Sequence, residues 1–142
     1  MHVIDLRIAA KAYCMNALPM FWTMNEVKLE EEYNGIGPEW MPEKYRDKVT
    51  EYFEFQEEAC LIHDVENNLR PKTESEFKAW NKRLYSNMKL KIKSEATKGN
   101  LCYWRFWHKD SVARTKLRAR FLYRMCRRYG KSAFFKKEEG SN

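Results

Sequence analysis

The sequence predicts a mainly α protein that forms a single domain over residues 1–142. The apolar fraction of 44% is enough for one buried core, and it excludes a chain that is disordered throughout. Apolar residues recur at the three- and four-residue spacing of helices, and no convincing run alternates as a strand does. The few Gly and Pro residues, 5 and 4 in number, are concentrated at the boundaries of the predicted helices.

The first half of the chain predicts three helices around a glycine-rich loop. The first helix spans 4–18 and ends at Pro19, which cannot continue it. Residues 34–38 form the densest cluster of helix breakers and predict a loop. Two further helices are predicted over 45–53 and 56–69 from the spacing of their apolar residues.

The second half begins with a capping signal and ends in a basic helix. Thr73 and Glu76 have the spacing of a capping box, which predicts a helix that continues to about Ile92. A turn is expected at 97–100. Residues 103–137 then form the basic, aromatic-rich C-terminal helix segment, in which an aromatic stretch over 103–107 is followed by a long helix from Ser111 to about Tyr129. Its buried stripe is predicted to contain Ala113, Leu117, Phe121, Met125 and Tyr129, widened by Leu122 and Cys126, with Gly130 as the helix terminator.

The charge of the chain is divided between its halves. The net charge is +7, but residues 1–64 carry 6 basic and 13 acidic side chains, whereas residues 65–142 carry 21 and 7. The candidate anion-binding or nucleic-acid-binding residues are six arginines on the last helix: Arg114, Arg118, Arg120, Arg124, Arg127 and Arg128. Three interpretations stay open: binding to an anionic membrane surface, binding to nucleic acid, or the exposed face of a core helix.

The cysteines and the N-terminus indicate the cellular setting. Cys14, Cys60, Cys102 and Cys126 form no CxxC pair and match no zinc-finger spacing, so reduced thiols are expected. Charged residues interrupt the apolar N-terminus, and no run is long enough to span a bilayer. We therefore expect no signal peptide, no transmembrane segment and a cytoplasmic location.

Three short segments carry the most specific pattern in the sequence. Segment 34–40 reads NGIGPEW, segment 59–64 reads ACLIHD and segment 79–88 reads AWNKRLYSNM. A glycine-rich turn can direct several carbonyl oxygens at a hard cation, to which a carboxylate adds a further ligand. The imidazole next to that carboxylate can accept a proton from an attacking water molecule.

Together the segments resemble the phospholipase A2 superfamily, and more closely short phage and prophage proteins with the same loop and helix motifs. The resemblance covers 33–88 and implies a phospholipase A2-like core with added N- and C-terminal helices. It implies a Ca²⁺-dependent phospholipid ester hydrolase in which His63 is the general base. Gly35, Gly37 and Asp64 would hold the metal. Asn81 takes the place of the carboxylate that orients the histidine, so the catalytic dyad is incomplete.

A second hypothesis assigns the chain no catalysis. In it, the protein is a virion component or interaction module that binds nucleic acid or virion proteins through the six arginines. The partners expected are therefore phospholipid or a membrane surface in the first case, and nucleic acid or virion proteins in the second. The location would be cytoplasmic or virion-associated.

Overall fold

The structure is a computed structural model that describes residues 2–33, 54–69 and 73–139, with side chains described as far as residue 128. Within these residues the chain is mainly helical, as predicted, and has no strand. Six helices lie within the described ranges: α1 Val3–Ala12, α2 Pro19–Thr23, α3 Glu26–Glu32, α4 Glu57–Asn67, α5 Glu74–Thr97 and α6 Val112–Glu139. None of these helices is both long enough and apolar enough to cross a bilayer. The predicted loop at 34–38 and helix at 45–53 lie outside the described residues.

The first helix is shorter than predicted. It ends at Ala12, and Cys14 adopts a positive φ of 61°, a left-handed conformation that stops the helical path. Pro19 therefore does not end α1. It occupies the first turn of α2, where its missing N–H and fixed φ are tolerated.

Helix α4 lies at the centre of the fold and packs against α1, α3 and α5. Its buried apolar residues are Ala59, Cys60, Leu61, Ile62 and Val65. Three further buried side chains of α4 are polar, and each pairs with a side chain of α5. Glu58 pairs with Lys91 at 2.6 Å, Glu66 with Arg83, and His63 with Asn81. The α4–α5 interface therefore combines apolar packing with buried polar contacts.

Helix α5 begins as the sequence predicts, but it continues beyond the predicted end near Ile92 to Thr97, where the predicted turn at 97–100 begins. Both hydrogen bonds of the Thr73–Glu76 capping box are present at its start. At its end, Gly99 has a φ of +83°, which an L-residue with a side chain rarely adopts, so the turn depends on glycine here. In the middle of α5, the buried Asn87 exchanges two 2.8 Å hydrogen bonds with the backbone of Asn16. This exchange fixes the α1–α2 connection against α5.

Helix α6 packs on α5 with a face that only partly matches the predicted one, since Leu122, Met125 and Cys126 are buried as predicted. Its buried residues are Val112, Thr115, Ala119, Leu122, Met125 and Cys126. Leu117, which the predicted stripe places in the core, is 60% exposed. The buried face is rotated because Val112, Thr115, Ala119 and Leu122 follow a three- and four-residue spacing that the strict four-residue stripe misses. Gly130 does not end the helix, and α6 continues to Glu139.

Residues 103–110 are not helical, and we call them the aromatic loop. Within the segment 103–137, the helix begins at Val112, next to the predicted start at Ser111. Backbone hydrogen bonds close the loop at its base. The Cys102 N–H donates to the Asp110 carbonyl at 2.9 Å, and the Val112 N–H donates to the Cys102 carbonyl at 2.8 Å. The aromatic loop thus connects α5 to α6, and its side chains lie outside the interface between these two helices.

Candidate functional site

The candidate site is built around His63, which α4 directs at α5. The imidazole Nε2 lies 2.8 Å from Oδ1 of Asn81, and Nδ1 lies 3.4 Å from Nδ2 of Asn67. His63 is 8% exposed, and Asn81 is buried as well. The structure therefore brings together the two residues for which the sequence predicts a catalytic pair.

These contacts define the tautomer of His63. The amide oxygen of Asn81 can only accept a hydrogen bond, so Nε2 carries the proton and donates it. The Asn67 amide nitrogen can only donate, which is consistent with a lone pair on Nδ1. Its 3.4 Å separation is longer than an ordinary N–H···N contact, so Asn67 holds that lone pair weakly. A neutral imidazole with a basic Nδ1 results.

Burial sets the charge state of the ring. It lowers the pKa of His63 from 6.5 to about 4, although the hydrogen bond to Asn81 acts in the opposite direction. Asn81 carries no negative charge, so it does not compensate for the desolvation of a protonated His63 ring. His63 is consequently neutral at physiological pH.

Asp64 lies beside His63 in the sequence and is half-buried. Burial and a hydrogen bond to Glu57 raise the pKa of Tyr33, and the negative charge of Asp64 raises it further. Tyr33 is the residue immediately before the glycine-rich loop in the sequence. Gly35 and Gly37 themselves lie outside the described residues.

Two thiols near Asp64 are poor nucleophiles. Burial, followed by the charge of Asp64, raises the pKa of Cys126 to about 12. The same two causes lead the upward shift in the pKa of Cys60. Both thiols are therefore protonated at neutral pH, which argues against a Cys–His nucleophile at this place. None of the four cysteines, all of which the structure describes, forms a disulfide.

A cleft of about 400 Å³ lies between α5 and α6, and Asn81 is one of its lining residues. We call it the basic cleft. Its lining residues are Glu74, Phe77, Lys78, Asn81, Lys82, Tyr123 and Arg127. The Arg127 guanidinium lies over the Tyr123 ring, 5.6 Å from its centroid. The Nδ2 atom of Asn81 is buried and has no hydrogen-bond partner in the part of the chain that the structure describes.

The six candidate arginines do not form one site. All are exposed except the half-buried Arg118. Arg114 donates to the carbonyl of Trp107 at 3.2 Å, and Arg118 donates to the carbonyl of Lys109 at 3.3 Å, so both hold the aromatic loop. Arg127 instead lines the basic cleft. It lies about 14 Å further along the axis of α6 than Arg118, at a rise of about 1.5 Å per residue.

The aromatic loop exposes large side chains to solvent. Trp104 and Trp107 are 76% and 73% exposed, and Tyr103 and Phe106 are exposed as well. Such a concentration of exposed aromatic surface is typical of an interaction site. The loop follows the C-terminal end of α5, whereas Asn81 lies near its N-terminal end, so the two sites are separated by about 25 Å along the helix.

Sequence reasoning missed Lys78, Lys82 and Asn67 as site residues. Lys78, Asn81 and Lys82 share one helix face at i, i+3 and i+4, a signal that the sequence does contain. Joining that face to Arg127 requires the packing of α6 on α5. His2, to which the sequence gives no role, lies 2.9 Å from Glu26 and 3.5 Å from Glu30 in an exposed group that joins α1 to α3.

Comparison with known proteins adds no assignment to this geometry. No protein-family model matches the chain, and no curated protein and no solved structure is significantly similar to it.

Proposed function

We propose that the chain is a phospholipase A2-like protein in which His63 acts as general base in the hydrolysis of a phospholipid ester. The observation that carries the proposal is the 2.8 Å contact between His63 Nε2 and Asn81 Oδ1. The motif resemblance aligns Asn81 with the residue that orients the histidine, and these two side chains, 18 positions apart, are in contact.

The chemistry assigned to these side chains is proton transfer. Asn81 holds the ring with Nε2 protonated, which leaves the Nδ1 lone pair to accept a proton from water. The water oxygen attacks the ester carbonyl, and the proton then passes from Nδ1 to the departing alkoxide. The products are a fatty acid and a lysophospholipid. Asn81 positions the ring without stabilising its charged form, so a low rate is expected.

Asp64 is the described member of the proposed calcium ligands. It has a half-buried carboxylate, and hard cations prefer such oxygen ligands. Asp64 and the loop containing Gly35 and Gly37 would hold the ion. When bound, it would polarise the ester carbonyl.

The test is hydrolysis of phospholipid vesicles, with calcium and with a chelator, by the wild type and the His63→Gln variant. His108→Gln is the matched control because His108 is exposed on the aromatic loop. Calcium-dependent release of fatty acid that His63→Gln abolishes and His108→Gln retains supports the proposal. Activity that is indifferent to both calcium and His63 would contradict it.

A second candidate function is binding to nucleic acid, and the aromatic loop favours it. Exposed Tyr103, Trp104, Phe106 and Trp107 offer stacking surfaces for unpaired bases, and the arginines of α6 can contact phosphates. The charge of the second half of the chain is consistent with such a surface. In this case the protein would serve as an interaction module or virion component.

The second candidate is tested by titrating single-stranded DNA against the wild type at several salt concentrations. Phosphate contacts predict a steep loss of affinity with salt, and stacking predicts a further loss in a Trp104→Ala/Trp107→Ala variant. Trp22→Ala is unsuitable as a control because Trp22 packs against the core, whereas the exposed Met20→Ala is suitable. A salt-independent affinity would exclude phosphate contacts.

A further inference from the structure

We propose that the basic cleft between α5 and α6 binds a phosphate group, and that Asn81 joins this phosphate site to His63. The cleft volume of about 400 Å³ suits a head group or a small phosphorylated molecule rather than a duplex. The proposal rests on the proposed function only in naming a phospholipid as the source of that phosphate. The binding itself does not require hydrolysis.

The lining of the cleft is mainly positively charged. Lys78, Lys82 and Arg127 line the cleft, against one acidic lining residue, Glu74. Within the described residues, neither lysine has a carboxylate at ion-pair distance, and Arg127 contacts the face of Tyr123. Three cations that converge on one cleft without carboxylate partners favour an anionic occupant.

Asn81, which lines the cleft, carries a hydrogen-bond donor without a partner among the described residues. Asn81 is 1% exposed, its Oδ1 is occupied by His63, and its Nδ2 has no acceptor among the described residues. A buried amide N–H without an acceptor is costly, so it usually marks the place of a ligand or water oxygen. Because Asn81 lines the cleft, an oxygen atom of the occupant can supply the missing acceptor. A phosphate group has such an oxygen and also matches the three cations.

Asn81 also connects the cleft to His63. Its Oδ1 accepts the hydrogen bond that fixes the tautomer of the imidazole, whereas its Nδ2 has no partner among the described residues. A phosphate bound to Nδ2 would hold the amide in the orientation that His63 needs. Binding in the cleft thus prepares the candidate base for its proton transfer.

The experiment follows the side-chain amide of Asn81 by NMR in the full chain while inorganic phosphate is added. A saturable shift of this resonance is expected. A Lys78→Gln/Lys82→Gln variant should bind phosphate about tenfold more weakly, since it loses charge-assisted contacts. The control is Lys93→Gln/Lys116→Gln, which removes two exposed cations outside the cleft, one on α5 and one on α6, and should bind as the wild type does.

Two further arms identify the source of the phosphate. Glycerol 3-phosphate represents a free phosphorylated molecule, and phosphatidylglycerol vesicles represent a lipid head group. A response to either that depends on Lys78 and Lys82 supports the phosphate site and assigns its source. An absent or non-saturable Asn81 shift, an equal loss in both double variants, or a response that only single-stranded DNA elicits would overturn the proposal.

The same variants separate this inference from the proposed hydrolysis. His63→Gln should keep its affinity for phosphate while it loses any hydrolytic activity. Phosphate binding without hydrolysis would therefore contradict the proposed function alone. Hydrolysis that is unaffected in Lys78→Gln/Lys82→Gln, together with no phosphate binding, would contradict the cleft alone.

Discussion

The imidazole Nε2 of His63 lies 2.8 Å from the amide oxygen of Asn81, across the interface between α4 and α5. Both side chains are buried, and the ring is neutral because desolvation lowers its pKa to about 4. The contact fixes the orientation and the tautomer of the ring but does not supply a counter-charge for its protonated form. The base strength of His63 therefore depends on the identity of residue 81.

Replacing Asn81 by aspartate should raise the pKa of His63. A carboxylate at hydrogen-bond distance stabilises the imidazolium, and such a partner shifts a pKa by about 1–3 units. The measurement is an NMR titration of the His63 ring in the wild type and in Asn81→Asp. Ser86→Asp adds the same charge at an exposed position of α5 and should leave the ring unchanged. An unchanged His63 pKa in Asn81→Asp would show that the contact is absent in solution.

Acidification should destabilise the protein through His63. The folded-state pKa of about 4 is below the unfolded value of 6.5, so the unfolded chain binds the proton first as the pH falls. His63 therefore contributes about 3 kcal/mol to the free energy of unfolding above pH 6.5, and this contribution is lost as the pH falls to about 4. The His63→Gln variant lacks this loss. The free energy of unfolding of the wild type should thus decrease relative to that of His63→Gln between pH 7 and pH 4.

The wild type must be compared with His63→Gln because Glu66 changes the free energy of unfolding in the opposite direction with pH. Burial raises the pKa of Glu66 to about 7, although Arg83 lowers it, so stability from Glu66 is lost as the pH rises from 4.5 to 7. The two groups partly cancel in the wild type alone. Chemical denaturation at several pH values measures the difference between the two proteins. A difference that does not vary with pH would mean that His63 titrates equally in both states.

Removing Lys91 should destabilise the fold strongly. Its ammonium group donates to Glu58 at 2.6 Å and to the carbonyl of Phe55, and both charged side chains are nearly inaccessible. Lys91→Met leaves the Glu58 carboxylate buried without a cation, which costs about 3–5 kcal/mol. Urea denaturation measures this loss. The double variant Lys91→Met/Glu58→Gln should recover part of it, and a double variant as unstable as the single one would contradict the explanation.

Two leucines on α6 should differ sharply when truncated. Leu122 is 0% exposed and packs against α5, whereas Leu117 is 60% exposed. Leu122→Ala should lower the free energy of unfolding by about 2–5 kcal/mol because it leaves a cavity in the core. Leu117→Ala should change it by no more than about 0.5 kcal/mol. Thermal or urea unfolding of both variants tests which face of α6 is buried, and equal losses would contradict the observed face.

Local sequence signals predicted those elements that depend on neighbouring residues. The capping box of Thr73 and Glu76 is local, since its two hydrogen bonds join residues three positions apart. The turn at Gly99 is local as well, because its conformation favours glycine wherever it occurs. The length of α1 was mispredicted because the left-handed conformation of Cys14 leaves no signal in a residue type that seldom adopts it.

The candidate site, like the fold, could be predicted from the sequence only in part. The sequence singled out His63 and Asn81 by motif resemblance, and the packing of α4 on α5 puts them in contact. It did not predict Asn67 on Nδ1, although that contact spans a single helical turn. The buried face of α6 was predicted only in part, with Leu122, Met125 and Cys126 buried but Leu117 exposed. Apolar residues occupy more than one side of this helix, and only the packed partner selects among them.

By itself, the sequence determined the helical class of this protein, the division of its charge and the identity of a His–Asp motif, because composition and periodicity are properties of the chain. The tertiary structure alone decided that His63 is neutral, because its pKa depends on burial by other helices. It also brought Lys78 and Lys82 of α5 next to Arg127 of α6, which converts a positive net charge into a specific cleft. Electrostatic function follows from distance and desolvation, and both are consequences of packing.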